Sequence, residues 1–162
     1  MRAYVLLAGY RTFENGTTTP VVFLSQKYGL PKKFEPLEGL FMPFGGQVEV
    51  GETVDSAADR ELTEEVGTSW VEEHRIPGVS SPLGLPRRGR FGDLGEINDQ
   101  HFLVLMVDGS LAAYRRLLRA VGDRHEGGAV AVPRSNLEAL RTAIAPHVLP
   151  GIETLFSHME RT

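Results

Sequence analysis

Short β-prone runs and turn-forming segments alternate along the first part of the chain. Residues 3–9 (AYVLLAG) and 20–25 (PVVFLS) are separated by ENGTTT, which is rich in turn-favouring residues, so we expect a hairpin. Another strand is expected around Gly45 and Gly46, where a glycine pair lets the backbone approach a ligand closely. The continuous apolar run at 101–107 (HFLVLMV) predicts a mid-sheet strand that is buried on both faces.

The clearest helix lies between Thr53, a plausible N-cap, and Gly67, a plausible residue just beyond the C-cap. Its apolar positions recur at every fourth residue: Val54, Ala58, Leu62 and Val66. Three glutamates lie on the wheel directly beside this apolar stripe: Glu61, Glu64 and Glu65. An acidic stripe that borders the core is unusual for a helix that is only solvated.

Further elements follow in the second half of the chain. We expect a helix over 110–120 and a strand over 129–132. Ser135 and Glu138 form a capping-box pattern that predicts another helix, and a final helix is expected after Pro150. Strands and helices do not alternate regularly, which indicates an α+β fold with one mixed sheet.

Residues 78–100 are rich in glycine and proline and contain Arg87, Arg88 and Arg90. A structureless loop of this length would be unusual, so we expect either a ligand-contacting loop or a twisted hairpin. The arginines could contact phosphate or an anionic group, or could serve only as surface charge.

Composition limits the classes of function. The chain has 162 residues, a net charge of −4 and no cysteine, which excludes disulfides, cysteine-ligated metals and a thiol nucleophile. The length predicts a single domain over residues 1–162. A mildly acidic chain is a poor ligand for nucleic acid polymers or anionic membranes. The first apolar run is too short for a signal sequence or a membrane span, so we expect a cytoplasmic protein.

The acidic stripe calls for a positive charge. Carboxylates three and four residues apart repel one another on a helix, and acids near its C-terminus oppose the helix dipole. A divalent cation would offset both the repulsion between the carboxylates and their unfavourable interaction with the helix dipole. Carboxylate and carbonyl oxygens, completed by water and phosphate oxygens, suit Mg²⁺ or Mn²⁺, so the residues imply a metal and a phosphate substrate together.

Residues 46–68 (GQVEVGETVDSAADRELTEEVGT) closely resemble the Nudix box, G-x5-E-x7-R-E-U-x-E-E-x-G-U, where U is aliphatic. Eight defined positions match at the required spacing: Gly46, Glu52, Arg60, Glu61, Leu62, Glu64, Glu65 and Gly67. Only Thr68 departs, because it replaces an aliphatic residue that normally packs under the following loop.

The resemblance implies a Nudix fold, an α/β/α sandwich around a mixed central β-sheet. It also implies divalent-metal-dependent hydrolysis of a pyrophosphate bond in a nucleoside diphosphate linked to a group X. A nucleoside triphosphate, modified or not, is the leading substrate. Nucleotide sugars, ADP-ribose and dinucleoside polyphosphates stay open, as does a non-hydrolytic nucleotide-binding protein. Dimers are common among such proteins, so a homodimer also stays open.

By the same resemblance, Glu61, Glu64, Glu65 and the Gly45 carbonyl would hold the Mg²⁺ or Mn²⁺. Glu61 is the first choice as base or as the group that orients the attacking water. Arg60 would hold the carboxylates while pairing with Glu52, and Gly46 and Gly67 would be structural.

Several Nudix enzymes place another catalytic or metal-binding glutamate on a loop well after the box. Glu126 is the expected residue here, and Glu96 is its competitor. Phe44 and Trp70 could flank a base, although core packing is favoured for both. The five histidines are expected to be ordinary surface or packing residues.

Overall fold

A mixed sheet between two helical layers organises the computed structural model, which describes residues 1–28, 32–76, 82–122 and 128–161. The strands, in chain order, are β1 (Arg2–Thr12), β2 (Thr18–Gln26), β3 (Phe41–Met42), β4 (Phe44–Gln47), β5 (Arg87–Arg88), β6 (Phe91–Ile97), β7 (Gln100–Met106) and β8 (Ala129–Pro133). The α-helices are α1 (Val54–Glu65), α2 (Thr68–His74), α3 (Leu111–Gly122), α4 (Leu137–Leu140) and α5 (Leu149–Glu160). Short 3₁₀ turns cover Lys32–Leu37, Pro82–Gly84, Arg134–Asn136, Arg141–Ala143 and Pro146–Val148.

The strand order is β3-β2-β1-β7-β6-β5, with β4 added to β1 and β8 added to β2. β1 and β7 run parallel, from Arg2 opposite Gln100 to Ala8 opposite Met106, and the other pairs are antiparallel. The expected first hairpin is β1–β2. The start of β1 pairs with β4, so Tyr4 lies directly opposite Gly45. This register brings the glycine pair to the end of the central strands.

Alternate residues of the central strands fill two cores. Tyr4, Leu6 and Ala8 of β1 belong to the core under α5, whereas Val5 and Leu7 belong to the core under α1, α2 and α3. β7 alternates in the same way and is buried along most of its length. The predicted α/β/α sandwich and the mid-sheet position of the second apolar strand are therefore confirmed.

Of two expectations for the second half of the chain, one is confirmed and one is wrong. In the described part of residues 78–100, β5 and β6 form a hairpin that continues into β7, as the twisted-hairpin alternative predicted. The capping box at Ser135 and Glu138 is wrong. Asn136 precedes α4 without a side-chain cap, and α4 ends after one turn because Ile144 becomes extended and bridges to Phe41. Within the described ranges, no helix is long and apolar enough to cross a membrane.

Gly151 on α5 provides a test of the packing between α5 and the sheet. A Cβ atom there would lie 2.5 Å from Phe102 Cε1, so Gly151→Ala should destabilise the fold by about 1–3 kcal/mol although alanine favours helices. Gly122→Ala, where no atom lies within 4 Å of the new Cβ, is the control and should be neutral or slightly stabilising. Urea denaturation of both variants measures the difference. Equal stabilities of the two variants would contradict this packing.

Candidate active site

The start of α1 is fixed by a reciprocal cap. Thr53 Oγ1 accepts a hydrogen bond from the Ser56 N–H at 3.2 Å, and Ser56 Oγ accepts one from the Thr53 N–H at 3.0 Å. Gly67, with φ of 92°, follows the last turn. Both expected boundaries of the helix are confirmed. The cap therefore sets which face of α1 each acidic side chain occupies.

Arg60 ties the preceding loop to the middle of α1. Its Nε donates to Glu52 Oε2 at 2.8 Å and its Nη2 to Glu52 Oε1 at 3.0 Å, and Nη2 also donates to the Gln47 carbonyl at 3.0 Å. Nη1 donates to Glu61 Oε1 at 2.9 Å. The hydrogen bonds from Arg60 lower the pKa of Glu52 to about 2, and the same pair raises the pKa of Arg60. The expected pairing of Arg60 with Glu52 is thus present.

Two of the glutamates lie against the two glycines of β4. A Cβ atom at Gly46 would lie 2.5 Å from Glu61 Oε1, so the Glu61 carboxylate occupies space that only glycine leaves free. Gly45 has φ of 148°, and its N–H donates to Glu65 Oε1 at 3.2 Å. A side chain at Gly45 would also collide with the Ala3 carbonyl.

Glu65 is the buried member of the acidic stripe, with 4% of its surface exposed. Its Oε2 accepts a hydrogen bond from Lys27 Nζ at 2.5 Å. Lys27 lies immediately after the end of β2. Glu64, in contrast, points outward with 60% of its side chain exposed, 3.7 Å from Arg60 Nη1. Arg60 and Lys27 therefore supply part of the positive charge that the acidic stripe requires.

These groups open onto one cavity of about 510 Å³. Its lining includes Glu61, Glu65, Lys27 and both glycines. Its other lining residues are Arg2, Tyr4, Tyr28, Leu37, Met42, Gln47, Gln100 and His147. The volume is within the range of about 300–1,000 Å³ that is usual for small-molecule sites.

Tyr4 and His147 add an aromatic and polar part to the cavity lining. Tyr4 stacks on Phe102 with ring centroids 5.6 Å apart, and its Oη lies 3.0 Å from His147 Nε2. Burial and the nearby Arg2 charge lower the pKa of His147, and burial raises the pKa of Tyr4. A neutral His147 is therefore favoured in the folded protein near pH 7.

The arginine cluster faces elsewhere. Arg88 lies 3.4 Å from Asp55 and 3.7 Å from Asp93, and Arg90 lies 2.8 Å from Asp59. These contacts hold the β5–β6 hairpin against the outward side of α1. Arg87 Nε donates to the Gly89 carbonyl within the hairpin turn. None of the three arginines lines the cavity just described.

Of the remaining residues that the sequence suggested for the site, those that the structure describes are not among the residues that line the cavity. Phe44 and Trp70 are buried in the core under α1, and Trp70 Nε1 donates to the Ala113 carbonyl, which agrees with the favoured packing interpretation. Glu96 is exposed on β6. Glu126 lies outside the described residues.

The chemistry of the donor set fits a hard divalent cation. Glu61 and Glu65 bring carboxylate oxygens to one cavity beside the backbone of Gly45. The glycine space that Glu61 occupies is a cradle that a Cβ atom would fill. Across the described ranges, no three Asp, Glu or His side chains form a metal cluster as they stand, so the outward-pointing Glu64 would have to turn to join Glu61 and Glu65.

Sequence reasoning did not assign Lys27, Tyr4, Arg2, Gln100 or His147 to the site. Their signal is topological rather than local. Arg2 pairs with both Gln47 and Gln100, so polar residues from three strands meet beside the glycine pair. An alignment of β1 with β4 and β7 would have been needed to find Arg2, Tyr4 and Gln100, whereas Lys27 follows β2 and His147 lies in the 3₁₀ turn before α5.

Comparison with known proteins agrees with this architecture. A family model described as NUDIX domain matches residues 12–146, whereas no curated protein matches the chain. A mutT/nudix family protein from Listeria innocua is similar in structure, with a TM-score of 0.60 and 20% identity over 99% of this chain and 93% of that one. The Nudix hydrolase RenU from M. smegmatis has a TM-score of 0.45, with 15% identity over 90% of this chain and 77% of its own. At these identities, the likeness to the Listeria protein shows the fold alone.

The Glu52–Arg60 pair predicts a specific acid sensitivity. Because the folded-state pKa of Glu52 lies at about 2, below the reference value of 4.5, its contribution to stability is present above about pH 4.5 and is lost as the pH falls towards 2. Glu52→Gln should remove this contribution, so its unfolding free energy should fall less steeply than that of the wild type in that window. Glu73→Gln, an exposed carboxylate on α2, is the control and should follow the wild type. Parallel curves for Glu52→Gln and the wild type would refute the pairing.

Proposed function

Because the chain belongs to the Nudix family, we propose that it hydrolyses a pyrophosphate bond in a nucleoside diphosphate linked to a group X, with Mg²⁺ or Mn²⁺. A nucleoside triphosphate, modified or not, is the proposed substrate. The observation that supports this most is the convergence of Glu61 and Glu65 on one nucleotide-sized cavity beside Gly45 and Gly46.

Glu61, Glu64, Glu65 and the Gly45 carbonyl are the proposed metal ligands. When bound, the ion would neutralise the diphosphate and lower the pKa of the attacking water. Glu61 and Glu65 are already oriented by Arg60, Lys27 and the Gly45 N–H. Binding therefore requires little ordering of these two carboxylates, whereas the exposed Glu64 would have to turn towards the ion.

Glu61 is the proposed base or water-orienting group. Because Arg60 Nη1 holds Glu61 Oε1, the carboxylate has a fixed direction, and Oε2 is the oxygen we assign to the water proton. The water oxygen attacks phosphorus, the bridging P–O bond breaks, and the leaving phosphate or nucleotide takes the bond's electron pair. Tyr4, Gln100 and His147 line the same cavity, and they are the residues proposed to contact the base or the X group.

A substrate panel tests this proposal directly. It should contain ordinary and oxidised nucleoside triphosphates, nucleotide sugars, ADP-ribose and dinucleoside polyphosphates, each with Mg²⁺ or Mn²⁺ and with a chelator. We expect metal-dependent release of phosphate products from at least one compound, with the cleaved bond identified by product analysis. Binding without turnover across the panel would favour the non-hydrolytic alternative.

Glu64→Gln is the sharpest variant for the metal assignment. Its side chain is 60% exposed and its contact with Arg60 is long, so a purely structural role predicts almost no effect. A metal ligand predicts a loss of turnover of at least about 100-fold with unchanged thermal stability. Glu73→Gln makes the same chemical change on exposed α2 and should keep wild-type turnover. Wild-type turnover in Glu64→Gln would remove Glu64 from the site.

A further inference from the structure

Lys27 is a cation to which the sequence motif assigns no role. Its ammonium lies 2.5 Å from Glu65 Oε2, and the two side chains are 13% and 6% exposed. Both residues line the cavity that contains Glu61 and the glycine pair. The ion pair thus joins the end of β2 to the last turn of α1 inside the proposed site.

A pair this buried is sensitive to the loss of either partner. Water solvates each charge poorly, so each group depends on the other for its stabilisation. Glu65 retains the Gly45 N–H as a second donor at 3.2 Å. Removal of the carboxylate from Lys27 would leave an ammonium group in a confined site, which is unfavourable unless another anion replaces it.

A divalent cation at Glu65 would compete with Lys27 for the same carboxylate. If the cation arrives alone, the ammonium loses its counter-charge. If it arrives with a polyphosphate, the phosphate oxygens bring negative charge into the cavity that Lys27 already lines. Cation binding is then opposed in the free protein and favoured in the presence of the phosphate ligand.

We propose that Lys27 is an exchangeable counter-ion that couples divalent-cation binding to polyphosphate binding. Its ammonium neutralises Glu65 in the metal-free protein and moves to a phosphate oxygen when cation and substrate occupy the site. The exchange makes and breaks only ion pairs and hydrogen bonds. It rests on the proposed function, because it assumes that Glu65 binds the metal, and it goes beyond it by making the site respond to both ligands together.

A static structural role for Lys27 predicts something different. In that case, loss of the ammonium would disorder Glu65 and weaken cation and phosphate binding together. Exchange predicts that loss of Lys27 changes the two affinities in opposite directions. The cation binds Glu65 more tightly because it has no competitor, whereas the phosphate binds more weakly because it loses a donor. By thermodynamic linkage, the wild-type affinity for either ligand must rise in the presence of the other by the same factor.

The experiment measures Mn²⁺ binding from the EPR signal of the free ion, at mildly alkaline pH, for the full-length wild type, Lys27→Met and Lys32→Met. Lys32→Met makes the same chemical change at an exposed position. Without nucleotide, Lys27→Met should bind Mn²⁺ at least about fivefold more tightly than the wild type, and Lys32→Met should match the wild type. An unchanged or weaker affinity in Lys27→Met would overturn the exchange.

The second measurement uses the α,β-methylene analogue of ATP, with correction for the Mn²⁺–analogue complex in solution. The wild type should show positive coupling of at least about fivefold between the two ligands, and Lys27→Met should lose most of it. The wild-type coupling needs no variant, so its absence overturns the proposal even if Lys27→Met fails to fold. Hydrolysis without coupling would refute only this inference. Absence of Mn²⁺ binding with and without the analogue would refute the metal site as well.

Discussion

The buried carboxylate of Glu65 is the constraint on which the arrangement of the site depends. A carboxylate at 4% exposure needs donors within the fold, and it finds them in the Gly45 N–H and the Lys27 ammonium. The last turn of α1, the edge strand β4 and the end of β2 must therefore meet at one point. The absence of a side chain at Gly45 lets β4 lie close to the Ala3 carbonyl of β1, and the antiparallel register of the two strands brings Tyr4 opposite Gly45.

Cations are distributed around α1 in two groups with different consequences. Arg88 and Arg90 neutralise outward acids and attach the β5–β6 hairpin, so their effect is structural. Arg60 and Lys27 neutralise Glu61 and Glu65 at the cavity, where they also determine how the carboxylates point. The protein's own cationic side chains thus already offset part of the repulsion within the acidic stripe. A divalent cation remains the proposed ligand because two oriented carboxylates share a cavity, whereas the stripe alone would not require it.

The parts of this picture that depend on local sequence could be predicted, and those that depend on strand pairing could not. Thr53, Gly67 and the apolar period of α1 fix a helix by short-range rules, and the apolar run of β7 fixes a buried strand. The partners Lys27 and His147 are distant from the motif in sequence and reach it only through the sheet and the chain after α4. The helix expected after Ser135 is present as α4, but it lacks the predicted capping box and is only one turn long, because Ile144 becomes extended and bridges to Phe41.

A crystal structure with Mn²⁺ and the α,β-methylene analogue of ATP would show whether Glu61 and Glu65 bind a divalent cation, because anomalous scattering locates the ion independently of its ligands. We expect an anomalous peak bounded by Glu61 and Glu65 oxygens beside Gly45, with Lys27 turned from Glu65 to a phosphate oxygen. An analogue bound in the cavity with no peak at these carboxylates, and with Lys27 still paired to Glu65, would contradict this expectation.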